Sequence, residues 1–199
     1  MIILDPATKD FTLKYTQKLI EKFKSPIGCE FGIAYGGMVE SIGKQWKPHN
    51  GIIYGCDTFT GHPKELSQHN YISRTCMDAH YKIYGTQTLS YEYQRAELDK
   101  QELYNVILIK GLINKNILKN VPILHYSLLD LDIDKSMDIA WEITKNKTII
   151  GSYIFVHDCI PAGILRKWYI KNISINNDFK ELEVDIITGL IVLERTKIT

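Results

Sequence analysis

Two rhythms of apolar positions alternate along the chain. In one, short apolar runs with few breaks read as strands buried on both faces: 27–31, 51–57, 105–111, 122–130 and 149–157. In the other, apolar residues return every three or four positions and read as amphipathic helices. Phe11, Tyr15, Leu19, Ile20 and Phe23 do so after the helix-start signal Asp5-Pro6, with lysines between them on what reads as a solvated face. Further helices are expected over 38–46, 92–102, 114–119, 137–145 and 164–170, with Pro161 in the first turn of the last. The chain closes on two strand-like runs, Phe179 to Asp185 and Leu190 to Leu193, joined by a short glycine-containing link. That is the pattern of an antiparallel hairpin. Strands alternating with helices predict an α/β fold: a mostly parallel sheet, helices on both faces, and a reversed strand at its edge.

One stretch organises the rest. The first run ends at Glu30-Phe31, passes through a glycine turn from Gly32 to Gly37, and enters the helix at Met38. Strand, glycine turn and helix form the first unit of a nucleotide-binding α/β fold. The spacing is Gly-x-x-x-Gly-Gly rather than G-x-G-x-x-G. A strand-end carboxylate before such a turn suits a cofactor with a cationic, amino-acid-like part better than a pyrophosphate. The second run ends in Asp57, where an acid commonly takes both ribose hydroxyls of an adenosine; it also stands where a capping aspartate would. From Thr58 to Tyr93 the periodicity breaks down. Tyr71, Tyr81, Tyr84, Tyr91 and Tyr93 lie there among His69, Arg74 and His80, in a segment too long for plain coil and readable as a lid, an acceptor pocket or amphipathic packing.

Composition narrows the partners. The 199 residues fit a single domain, and a net charge of +1 gives no basic field for nucleic acid. No apolar run reaches membrane-spanning length and no signal-peptide pattern opens the chain, so a cytoplasmic location is expected. Cys29, Cys56, Cys76 and Cys159 show no C-x-x-C spacing, and most read as buried free thiols of a reducing compartment.

Acidic or metal-competent side chains end four of the predicted parallel strands: Glu30, Asp57, Asp130 with Asp132, and His157 with Asp158. Open α/β sheets bind ligands along that edge. Asp130, His157 and Asp158 come from the fourth and fifth runs, which should be neighbours. Two carboxylates and an imidazole suit Mg²⁺ better than Zn²⁺, with the imidazole tilting the set toward Mn²⁺.

Taken in order, Glu30-Phe-Gly-x-x-x-Gly-Gly, Asp57-Thr-Phe-x-Gly-x-Pro63, Ile109-Lys-Gly111, Asp130-x-Asp132-x-x-x-Ser136 and Gly151-Ser-x-Ile-x-x-His-Asp158 resemble the TylF-like (macrocin type) class I S-adenosylmethionine-dependent O-methyltransferases over residues 26 to 160. The resemblance implies a Rossmann-like methyltransferase domain over 1–199. It implies that Glu30, Gly32, Gly36 and Gly37 shape the pocket for the methionine part of S-adenosyl-L-methionine. Asp57 would bind the ribose, and Gly111 and Leu112 would flank the adenine. Asp130, His157 and Asp158 would hold Mg²⁺ or Mn²⁺, with Asp132 or His157 as the base. The family usually carries Asp where this chain has His157, and Tyr where it has Asp134. The implied acceptor is a hydroxyl of a sugar or small natural product, and the amphipathic helix at 6–24 makes a homodimer conceivable. Three other readings compete: a metal-independent methyltransferase with His157 as base, a nicotinamide-dependent oxidoreductase against which the glycine spacing argues, and a non-catalytic cofactor-fold scaffold.

Overall fold

The computed structural model describes residues 6–61, 88–131, 134–161, 163–186 and 188–198. Residues 1–5, most of the 58–93 segment with its predicted lid, and Cys76 lie outside them. Seven strands form one sheet in the order β3-β2-β1-β4-β5-β7-β6. They are β1 (Ile27–Phe31), β2 (Ile52–Asp57), β3 (Val106–Lys110), β4 (Leu124–Leu129), β5 (Thr148–Val156), β6 (Phe179–Asp185) and β7 (Leu190–Arg195). The first five are mutually parallel, and β7 runs antiparallel to both β5 and β6. The reversed strand is therefore not the edge strand expected from the sequence. The hairpin inserts its second arm beside β5 and leaves β6 outermost. The burial pattern explains this: β7 alternates to both sheet faces and is buried at five of six positions, whereas β6 is largely half-exposed.

The described helices are α1 (Pro6–Phe23), α2 (Gly37–Trp46), α3 (Tyr91–Lys100), α4 (Asp134–Lys147) and α5 (Ile164–Asn172). Two cores lie on opposite faces of the sheet. One gathers Tyr15, Leu19 and Ile20 of α1 with Met38, Val39, Ile42 and Trp46 of α2 and Leu98 of α3. The other gathers Met137, Ala140 and Trp141 of α4 with Leu165, Trp168 and Tyr169 of α5. Residues on β5 alternate between them: Tyr153 and Phe155 face the first core, Ile154 and Val156 the second. The apolar stripe of α1 thus packs on its own sheet. Its lysines are not merely solvated, because Lys14 pairs with Glu183 at 3.1 Å and Lys22 with Glu194 at 2.9 Å.

Two helix expectations fail for local reasons. Residues 114–119 form successive turns instead of a helix. Asn114 receives the Asn116 N–H on its side-chain oxygen at 3.0 Å and donates to the Leu112 carbonyl at 3.0 Å. Such side-chain bonds compete with the helical ladder. Pro161 sits ahead of α5 rather than in its first turn. Gly163 first donates its N–H to the Ile160 carbonyl at 3.0 Å, closing a turn, and then serves as the helix N-cap.

Candidate active site

The parallel ladder runs one residue past the strand ends and sets the site. Gly111 N–H donates to the Asp57 carbonyl, Gly32 N–H to Cys56, Asp130 N–H to Phe31 and His157 N–H to Leu129, at 2.9 to 3.0 Å. Five strand ends are thereby locked side by side. Of the residues the sequence placed on this edge, Asp57, Asp130, His157 and Asp158 are brought together there, beside Gly32 and Gly111, and Glu30 lies one position inside β1.

Asp130, His157 and Asp158 converge. Each offers a ligand atom, and these atoms lie within 4.8 Å of one another. His157 Nδ1 is 2.9 Å from Asp130 Oδ1 and 3.3 Å from Asp158 Oδ1. Asp158 holds a left-handed backbone, φ 56°, which is uncommon for a residue with a Cβ and is maintained by surrounding contacts. The next residue, Cys159, donates its N–H to the Gly189 carbonyl at 2.8 Å, so the β6–β7 turn pins this segment. Burial works most strongly against a charged His157. The charge of Asp130 and the hydrogen bonds to Asp130 and Asp158 outweigh it and raise the imidazole well above its usual range. Two carboxylates around one imidazole form a donor set that fits a hard divalent cation with open positions left over. Asp132 lies outside the described residues.

Glu30 is 3% exposed, and its Oε2 has no hydrogen-bond partner among the described residues. Burial, then the charges of Asp130 and Asp57, push its carboxyl well above the usual range, and His157 offsets this in part. A buried carboxyl among other acids fits a ligand that brings a positive charge.

Asp57 is already well used. Its Oδ2 accepts the N–H groups of Ile33 and Ala34 at 3.0 and 3.1 Å, and its Oδ1 accepts that of Phe59 at 2.8 Å. The capping role open to it in the sequence is therefore realised, and the same carboxylate braces the glycine turn from β2. Gly36, φ 74°, is the N-cap of α2, and Gly37 opens the helix, buried. At Gly111 an added Cβ would meet nothing within 4 Å among the described residues, and Leu112 beside it is 53% exposed.

Sequence reasoning missed Gln94. It sits in α3 with 1% exposure and donates from Nε2 to the Ala34 carbonyl in the glycine turn at 2.8 Å. The available signal was its spacing: Gln94 and Leu98 are the two buried positions of that helix, four apart, and one of them is polar. Of the tyrosines expected to line an acceptor pocket, Tyr91 packs edge-on against Phe59 at 5.3 Å and Tyr93 is exposed.

The fold is one that several solved methyltransferase structures share. Among solved structures, the chain is similar to the O-methyltransferase NovP, with a TM-score of 0.73 and 18% identity over 96% of this chain and 80% of that one. It is also similar to CalS11, a TDP-rhamnose 3'-O-methyltransferase of calicheamicin biosynthesis, with a TM-score of 0.67 and 15% identity over 97% of this chain and 81% of that one. An rRNA methylase from Streptococcus thermophilus matches with a TM-score of 0.60 and 12% identity over 99% of this chain and 100% of that one. At such identities the likeness establishes the fold alone, and this fold serves unlike acceptors. No protein-family model and no curated protein matches the sequence.

Proposed function

We propose that this protein is an S-adenosyl-L-methionine-dependent O-methyltransferase, assisted by Mg²⁺ or Mn²⁺, that methylates a hydroxyl of a sugar or another small natural product. The observation that carries this reading is the convergence of Asp130, His157 and Asp158 on the same strand-end edge as the Glu30–Gly37 turn. The TylF-like motif order and the likeness to NovP and CalS11 support it.

When bound, the cofactor would supply an activated methyl and the divalent ion Lewis-acid polarisation of the acceptor hydroxyl. The rest falls to the chain. Glu30 meets the ammonium of the methionine part. Asp57 would accept the ribose hydroxyls on lone pairs left by the N–H groups it holds, and Gly111 with Leu112 would border the adenine. Asp130, His157 and Asp158 would hold the ion and with it help to orient the acceptor. Methyl transfer to the acceptor oxygen would release the hydroxyl proton, with Asp132 as the candidate base. The products are a methyl ether and S-adenosylhomocysteine.

A second reading has its own support. A carboxylate at hydrogen-bond distance from a ring nitrogen is also how a general base is oriented, and Asp130 stands so to His157. In that reading His157 takes the proton and no ion is needed. Turnover titrated with EDTA separates the two: loss of activity restored by Mg²⁺ or Mn²⁺ supports the metal, and activity indifferent to chelation but lowered by both His157→Ala and Asp130→Ala supports the histidine base.

A further inference from the structure

The carbonyl of Ala34 collects three donors. Gln94 Nε2 reaches it at 2.8 Å, Thr88 Oγ1 at 2.7 Å and Leu89 N–H at 3.3 Å. Ala34 itself is left-handed, φ 44°, and its N–H is held from the opposite side by Asp57 at 3.1 Å. A carbonyl usually satisfied by one or two donors is here fastened by three, all from the chain entering α3. Gln94 does more than donate. Among the described residues its buried Oε1 has no hydrogen-bond partner and is the nearest atom to where a Cβ on Gly36 would stand, so the amide closes the back of the turn. Gln94 Nε2 also bonds the Leu89 carbonyl at 3.1 Å, which ties the segment to its own helix.

We propose that Gln94 is a positioning residue of the cofactor site. It fixes the left-handed Ala34–Gly36 turn from behind, so that the turn's free side is shaped for the cofactor before binding. This rests on the cofactor reading above. Pre-set geometry is reflected in affinity because a ligand need not then order the turn. Gln94 does not touch the ligand; it acts through Ala34 and Gly36.

The test is calorimetric titration with S-adenosylhomocysteine, beside thermal unfolding of each free protein. Gln94→Met keeps length and packing and removes the donors. Gln94→Glu sets a carboxyl oxygen against two carbonyls. Both should weaken binding by about tenfold or more. Arg95→Met is the control: Arg95 holds the Val106 and Leu103 carbonyls and not the turn, so its loss lowers the melting temperature and leaves affinity as it was. Thr88→Val removes a second donor from Ala34 without entering the helix and should weaken binding less than the Gln94 variants do; it serves as the test if those fail to fold. Wild-type affinity in Gln94→Met, or in Thr88→Val if the Gln94 variants do not fold, overturns the proposal. So does an equal loss in Arg95→Met, because it makes the effect general destabilisation. A wild-type protein that does not bind at all overturns the cofactor reading and this inference with it, and is distinguished by the wild-type titration alone.

Discussion

One ring nitrogen of His157 faces two carboxylates, with Asp130 at 2.9 Å and Asp158 at 3.3 Å. The arrangement favours a positive charge between the acids, and a proton or a divalent ion satisfies it. Asp130→Ala should therefore abolish Mn²⁺ binding followed by electron paramagnetic resonance, while S-adenosylhomocysteine still binds in metal-free buffer. Unchanged Mn²⁺ binding in that variant would remove Asp130 from the metal set.

Glu30 should carry a measurable pH signature. Its folded-state value is raised, so the folded protein keeps a proton that the unfolded chain releases. The stability this gives is fully present below the unfolded carboxyl range and is lost as pH rises through the folded value. Glu30→Gln should flatten that slope in urea denaturation between acidic and neutral pH. It should also weaken S-adenosylhomocysteine binding by about tenfold if Glu30 meets the ammonium as proposed. A slope identical to wild type would show that the proton is held elsewhere.

His125 works in the opposite sense, far from the chemistry. Its Nδ1 accepts the Ile27 N–H at 2.9 Å, and its ring stacks on Phe23 at 4.1 Å, joining the start of β4 to β1 and to the end of α1. Burial lowers its affinity for a proton. The contribution is present above the unfolded value of about 6.5 and is lost as pH falls through the lower folded value. His125→Phe should keep the stacking, leave the Ile27 N–H unanswered at a cost of about 1–3 kcal/mol at neutral pH, and remove this part of the acid-side loss. Denaturant midpoints at several pH values measure both effects.

Legibility in the sequence followed the range of the interactions. The strands and most helices were readable because each rests on its own apolar period, as in Tyr15, Leu19 and Ile20 of α1. Asp130, His157 and Asp158 were readable as a cluster because strand ends in a parallel sheet share one edge. What the sequence hid came from contacts between distant segments or from single side chains. Three residues near position 90 fasten Ala34, Asp57 is spent on backbone N–H groups, and β7 slips between β5 and β6. Asn114 undid a helix by bonds that periodicity does not register.

Close packing allows a prediction against helix propensity. Gly43 lies inside α2, where alanine would ordinarily be better by about 1 kcal/mol. A Cβ there would run into Val106 Cγ2, because α2 lies close over β3. Overpacking of about 1–3 kcal/mol should win, so Gly43→Ala lowers stability in urea denaturation. A gain in stability would mean that the helix shifts freely on the sheet.

The central claim is that the Glu30–Gly37 turn and the Asp130–His157–Asp158 group serve one methyl transfer. The most direct measurement is calorimetric titration of the protein with S-adenosylhomocysteine, with and without Mg²⁺. The account predicts saturable binding at one site per chain and a separate Mg²⁺ event that Asp130→Ala removes. No heat of binding under either condition would contradict it and leave the fold as a scaffold without its cofactor.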